Sequence, residues 1–154
     1  MKRLSLERVS ISPLELIAQV LLLVVVARSF VRPPNGQFVF RCDNSSSVDV
    51  LESRRPHSPA MRRALAWLVR VENHFALRLR AEHIPTLENR AADAFSHAAV
   101  ARGCAELRVL HMTPREFPAD LVVFDGLTLE ELARAMERDV RAALLDRDVE
   151  DTAV

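Results

Sequence analysis

Hydrophobic and polar positions alternate with two different periods along this chain, and the change of period marks its elements. From Leu16 to Ala27 the residues are apolar except Gln19, a run of about a dozen. That is too short for the roughly 20 residues of a membrane-spanning helix, so it reads as a buried helix. Ser12 and Pro13 open it as a capping hydroxyl followed by proline at the first helical position, with Glu15 in the first turn, and it is expected to run to about Ser29. Phe38 to Asp43 reads as a short strand after the breakers Pro33, Pro34, Asn35 and Gly36. Asn44 and the three serines behind it offer caps for a helix through about Glu52.

Ser58-Pro59 repeats the start signal, and Met61, Leu65, Leu68 and Val71 keep the spacing of one helical face, with Trp67 beside them in the core. Phe75, Leu77 and Leu79 alternate with Ala76, Arg78 and Arg80, the period of a half-exposed strand. His83 and Pro85 turn the chain into a helix capped by Asn89 and running through Asp93 to about Arg102. A further strand is expected at Leu107 to Leu110. Thr128 and Glu131 form a capping box, and Leu129, Leu132, Met136, Val140 and Leu144 stripe a final helix. Two strands joined by a helical crossover are expected to be parallel neighbours.

Composition narrows the class. With 49% hydrophobic and 27% charged residues, three glycines and no tyrosine, the chain suits a helix-rich α/β protein rather than an all-β sandwich. Its two cysteines are too few for a disulfide framework or zinc site, and point to a reducing, intracellular setting, cytoplasmic or nuclear. Net charge is zero but unevenly spread. Residues 41–80 carry eight Arg against four Asp or Glu, and residues 115–154 five Arg against eleven. Phosphate contacts therefore belong in the middle of the chain, and no membrane partner is expected.

Three carboxylates stand at junctions of these elements. Asp43 ends a strand, Asp93 lies in the first turn of a helix, and Glu15 projects from the first helix. The first two positions open onto the crevice above the carboxyl ends of a parallel sheet, where ligands of open α/β folds bind. Clustered carboxylates need a cation to stay together, and hard oxygen donors suit magnesium. Taken singly, each has a structural reading: Glu15 and Asp93 favour a helix dipole, and Asp43-Asn44 makes a turn and a cap.

Four motifs change the picture: Ser12-Pro-Leu-Glu15-Leu, Phe40-Arg-Cys-Asp43-Asn44-Ser, Arg55-Pro-His-Ser58-Pro-Ala-Met61, and His83-Ile-Pro followed by Asn89, Ala92, Asp93 and Ser96. In order and spacing they resemble the ribonuclease H domain of reverse-transcriptase polyproteins from DIRS-type (tyrosine-recombinase) retrotransposons, over about residues 10–97. The resemblance implies a ribonuclease H-like fold and endonucleolytic hydrolysis of RNA in RNA–DNA hybrids. It also implies two Mg2+ (or Mn2+) ions, with Glu15, Asp43 and Asp93 as ligands. Asn44, Arg54, Arg55, Arg62, Arg63 and Asn89 are the expected nucleic-acid contacts. The pattern's first aspartate, on an earlier strand, has no counterpart in residues 1–11, while Thr86 stands at a usual glycine and His97 at a usual arginine.

The expectation is thus a truncated α/β ribonuclease H-like fold over residues 10–102: a short parallel sheet with flanking helices and an impaired site. Residues 103–154 are expected to form a linker and an amphipathic helical extension. The implied partners are an RNA–DNA hybrid and a polymerase or amino-terminal ribonuclease H half. The alternative is a non-catalytic nucleic-acid-binding or protein-interaction module.

Overall fold

The helices start where a short polar side chain can take up the free amides of a first turn. In the computed structural model, which describes residues 11–29, 36–96, 100–109 and 120–150, Asn44 accepts the Ser47 N–H at the head of α2 (Ser45–Ser53). Ser58 accepts the Met61 N–H at the head of α3 (Pro59–Phe75), with proline next to the cap. The expected capping box is present before the last helix: the Thr128 N–H donates to Glu131, whose own N–H donates back to the Thr128 hydroxyl. The Thr128 N–H and then its hydroxyl, both donating to the Glu131 carboxyl, hold that group below its ordinary pKa.

The first helix, α1 (Ile11–Ser29), departs from expectation at its start. Ser12 lies inside it and Pro13 is its third residue, which the fold tolerates because first-turn amides have no acceptor within a helix. Glu15 consequently falls just beyond the first turn. Leu16, Ile17, Val20, Leu23 and Val24 are buried along one side, whereas Leu14 and Leu22 are exposed. No described helix is long and apolar enough to cross a membrane.

Strands β1 (Gln37–Cys42) and β2 (Arg78–His83) pair in parallel, in register from Gln37 opposite Arg78 to Cys42 opposite His83. The chain crosses between them through α2 and α3. One sheet face joins the core through Leu79, Ala81, Phe38 and Phe40. The other carries Arg41, Arg78, Arg80 and Glu82 into solvent. A two-stranded parallel sheet leaves two edges of unpaired amides and carbonyls. Side chains close the β2 edge in place of a neighbouring strand: Glu72 accepts the Leu79 N–H at 2.7 Å, Arg54 donates to the Leu79 carbonyl at 2.8 Å, and Glu52 accepts the Ala81 N–H at 2.7 Å. Among the described residues, β1 pairs with no strand but β2.

Several expectations are corrected. Phe75 belongs to α3 and not to a strand; the helix continues until Ala76, whose left-handed backbone (φ 52°) turns the chain. The expected helix from Asn89 to Arg102 is two elements, α4 (Arg90–Ser96) and α5 (Val100–Val109), packed on each other after a 3-10 turn at Thr86–Glu88. A Cβ on Gly103 would lie 2.8 Å from the Phe95 ring, so glycine there sets the close approach of the two helices. The strand expected at Leu107 to Leu110 is the end of α5 as far as Val109; Leu110 lies outside the described residues, as does His97.

The remaining elements close the core. A hairpin of β3 (Val122–Phe124) and β4 (Leu127–Thr128) turns at Asp125 and Gly126, both with positive φ. It is fastened to α3 by Arg70, whose guanidinium lies 4.2 Å over the Trp67 ring and pairs with Asp125, and to α1 by Arg28 donating to the Val122 carbonyl. Helix α6 (Leu129–Glu150) lays Leu132, Met136 and Val140 against α3 and α1, and Trp67, buried as expected, donates its indole N–H to Asp139 at 2.9 Å.

Candidate functional site

The carboxyl end of β1 is built around a sulfur atom. Cys42 is the last strand residue, Asp43 follows it, and Asn44 caps α2, so strand, acid and helix cap occupy three consecutive positions. The Gln19 amide, from the middle of the apolar run of α1, donates to Cys42 Sγ at 3.1 Å, and the Asn44 N–H does so at 3.4 Å. One turn earlier on α1, Glu15 accepts from the hydroxyl of the fully buried Ser47 at 3.3 Å. Two helices and a strand therefore meet at one end of the sheet, and Glu15 and Asp43 come with them.

The thiol reports this convergence electrically. Burial pushes the Cys42 thiol above its ordinary pKa; the Asn44 backbone pulls it down, the negative charges of Glu15 and Asp43 push it up, and the Gln19 amide pulls it down again. Because the folded thiol holds its proton more tightly than an unfolded one, its contribution to stability is complete below the ordinary thiol pKa. That contribution is lost as pH rises through the raised value. In a Cys104→Ser background, Glu15→Gln is expected to move the pH midpoint of Cys42 alkylation downward, and Asp43→Asn to do the same. An unchanged midpoint in both would show that the two carboxylates stand apart from the sulfur.

Asp93 has a different setting. It lies in the first turn of α4 and pairs with Arg102 of α5 at 3.2 Å, an ion pair that ties the two helices together. Asn89 precedes α4, and its N–H donates to the Thr86 carbonyl. Among the described residues, no three His, Cys, Asp or Glu side chains are grouped so that they could hold a metal ion. Glu15 and Asp43 are brought to one place, whereas the Asp93 carboxylate already shares its charge with a guanidinium.

The basic candidates divide as well. Arg55, Arg62 and Arg63 are exposed on the loop and the first turn of α3. Arg54 is turned inward, its side chain 20% exposed and bonded to Glu72. Sequence reasoning gave Cys42 no role and passed over Gln19 and Ser47. A single glutamine interrupting an apolar helical run was the available signal, since a buried amide needs a partner. The chain matches no protein-family model, and neither a curated protein nor a solved structure matches it.

Proposed function

We propose that this chain is a ribonuclease H-like module of retroelement ancestry that binds RNA–DNA hybrids and does not by itself cleave them. The observation that carries the reading is the parallel β1–β2 pair with Asp43 directly beyond β1 and Glu15 delivered from α1 to the same end. That placement agrees with where α/β folds bind ligands and with the positions of the four resembling motifs. The exposed Arg55, Arg62 and Arg63 supply cations for a phosphate backbone recognised by its A-like shape and its 2′-hydroxyls.

Loss of cleavage follows from the donor set. The family's two-ion chemistry uses four carboxylates; three have counterparts here, and one of these, Asp93, is paired with Arg102. The purified 154-residue chain is expected to bind a short RNA–DNA hybrid with an affinity that falls steeply with salt. It is expected to release no RNA fragments in magnesium or manganese. Cleavage abolished by Asp93→Asn would overturn the non-catalytic part, and salt-insensitive or absent hybrid binding would overturn the binding part.

A further inference from the structure

An open cleft of about 380 Å³ lies between the end of α2 and the amino-terminal half of the sheet, lined by Gln37, Leu51, Glu52, Arg54, Arg78 and Arg80. Gln37 and Arg78 are the first residues of their strands, so the cleft opens at the end of the sheet opposite Asp43. At the rise of an extended chain, six residues separate the two places by about 20 Å.

The charges around it do not balance. Both oxygens of Glu52 are committed, Oε1 to the Arg80 Nε and the Ala81 N–H, Oε2 to the Arg80 Nε and Nη2. Arg80 holds the Glu52 carboxyl below its ordinary pKa, so this carboxylate stays ionised and engaged. Behind it, Oε1 of Glu72 accepts from one terminal nitrogen of Arg54 and from the Leu79 N–H. The other terminal nitrogen, Arg54 Nη1, is buried and has no hydrogen-bond partner among the described residues. The Arg78 guanidinium is exposed and, among the described residues, has no hydrogen-bond or ion-pair partner. Three cations thus line a cleft whose one carboxylate, Glu52, has both oxygens engaged.

Arg54 and Ala76 share a backbone conformation, each closing its helix in the left-handed region. Arg54 closes α2 in the left-handed region at φ 58°, where a side chain other than glycine is disfavoured by about 1–2 kcal/mol. A guanidinium offers a planar fork of N–H groups that fits the oxygens of phosphate two at a time. The Gln37 amide, on the cleft wall, is a further donor.

We propose that this cleft is a phosphate-binding site, in which Arg78 and Arg80 grip the oxyanion and Arg54 stands behind them. The site stands independently of the nuclease reading, because it uses none of Glu15, Asp43 or Asp93. The phosphate belongs either to a small phosphorylated molecule or to a nucleic-acid backbone.

Titration of the full chain with inorganic phosphate, at constant ionic strength against chloride, tests the site through thermal melting and calorimetry. The wild-type chain is expected to show a saturable rise in Tm that chloride does not reproduce. Arg78→Gln, which breaks no bond of the fold, is expected to weaken phosphate binding about tenfold or more, the scale of a charged hydrogen bond. Arg134→Gln, on the exposed side of α6 and away from the cleft, leaves it unchanged. Equal melting in phosphate and chloride, or equal losses in the two variants, would overturn the proposal. The source is read from competition: displacement of phosphate by a short RNA–DNA hybrid, with the same dependence on Arg78, assigns the site to a nucleic-acid backbone. Hybrid that binds without displacing phosphate assigns it to a small phosphorylated molecule.

Discussion

Glu72→Ala is expected to remove about 3–5 kcal/mol of folding stability, the cost of leaving a buried charge without its partner. Glu72 is the most enclosed carboxylate of the described chain, with only 7% of its side chain exposed, and its Oε1 serves two donors at once. One is the Arg54 guanidinium at 2.8 Å; the other is the Leu79 N–H at 2.7 Å, on the open edge of β2. Truncation strands both. The guanidinium keeps a single bond, to the Leu79 carbonyl, and the strand edge gains an unsatisfied amide worth about 1–3 kcal/mol. Glu72→Gln retains an acceptor oxygen for the amide and is expected to lose less. The double variant Glu72→Leu with Arg54→Met removes both charges and is expected to recover much of the loss, since apolar replacement of a buried pair is often neutral or better. Urea unfolding of the three variants gives the comparison. A change within about 1 kcal/mol for Glu72→Ala, inside the range of ordinary surface substitutions, would mean that side chains do not close this edge.

The same cluster shows what local pattern can and cannot reveal. Asn44, Ser58 and Thr128 act as caps because capping needs only a short side chain and the amides two or three residues on, all within one stretch of sequence. The parallel pairing of β1 and β2 was legible for a similar reason: a helical crossover between two strands leaves little choice of direction. Phe75 misled because Phe75, Leu77 and Leu79 alternate across a helix end as cleanly as along a strand; what decides is Ala76 in the left-handed conformation, which periodicity does not encode. Asp125-Gly126 between Val123, Phe124 and Leu127 was a hairpin signal of the usual kind, and it went unread.

At the candidate site, Glu15 and Asp43 both lie near Cys42, at the carboxyl end of β1. The Arg102 partner of Asp93 was out of reach, because it depends on α5 folding back over α4 after residues that read as one continuous helix. The closure of β2 by Glu52, Arg54 and Glu72 is likewise a tertiary fact. In sequence these residues look like solvated charges flanking an apolar stripe, and only a β2 edge that no described strand covers gives them acceptors and donors to satisfy.

Met136→Ala is expected to cost about 2–5 kcal/mol and to do so for the whole chain in one step. Met136 is fully buried in the middle of α6, between Leu132 and Val140, on the side that meets α3 and α1. If the last helix were an appendage, deleting its central side chain would loosen α6 and leave the sheet and α3 untouched. The structure argues otherwise, because Leu132, Met136 and Val140 belong to the same apolar cluster as Leu16, Leu68 and Leu79. The chain's single tryptophan provides the probe. Trp67 sits on α3, bonded to Asp139 of α6 and edge-on to Phe124 of the hairpin, so its emission reports the α3–α6 contact directly. Far-ultraviolet circular dichroism reports the helices as a set. In urea the two signals are expected to move to a lower midpoint together in Met136→Ala, as cooperative unfolding of one core requires. A fluorescence transition that precedes the loss of helix would instead assign α6 its own, weaker equilibrium, and would detach it from the elements that position Glu15 and Asp43.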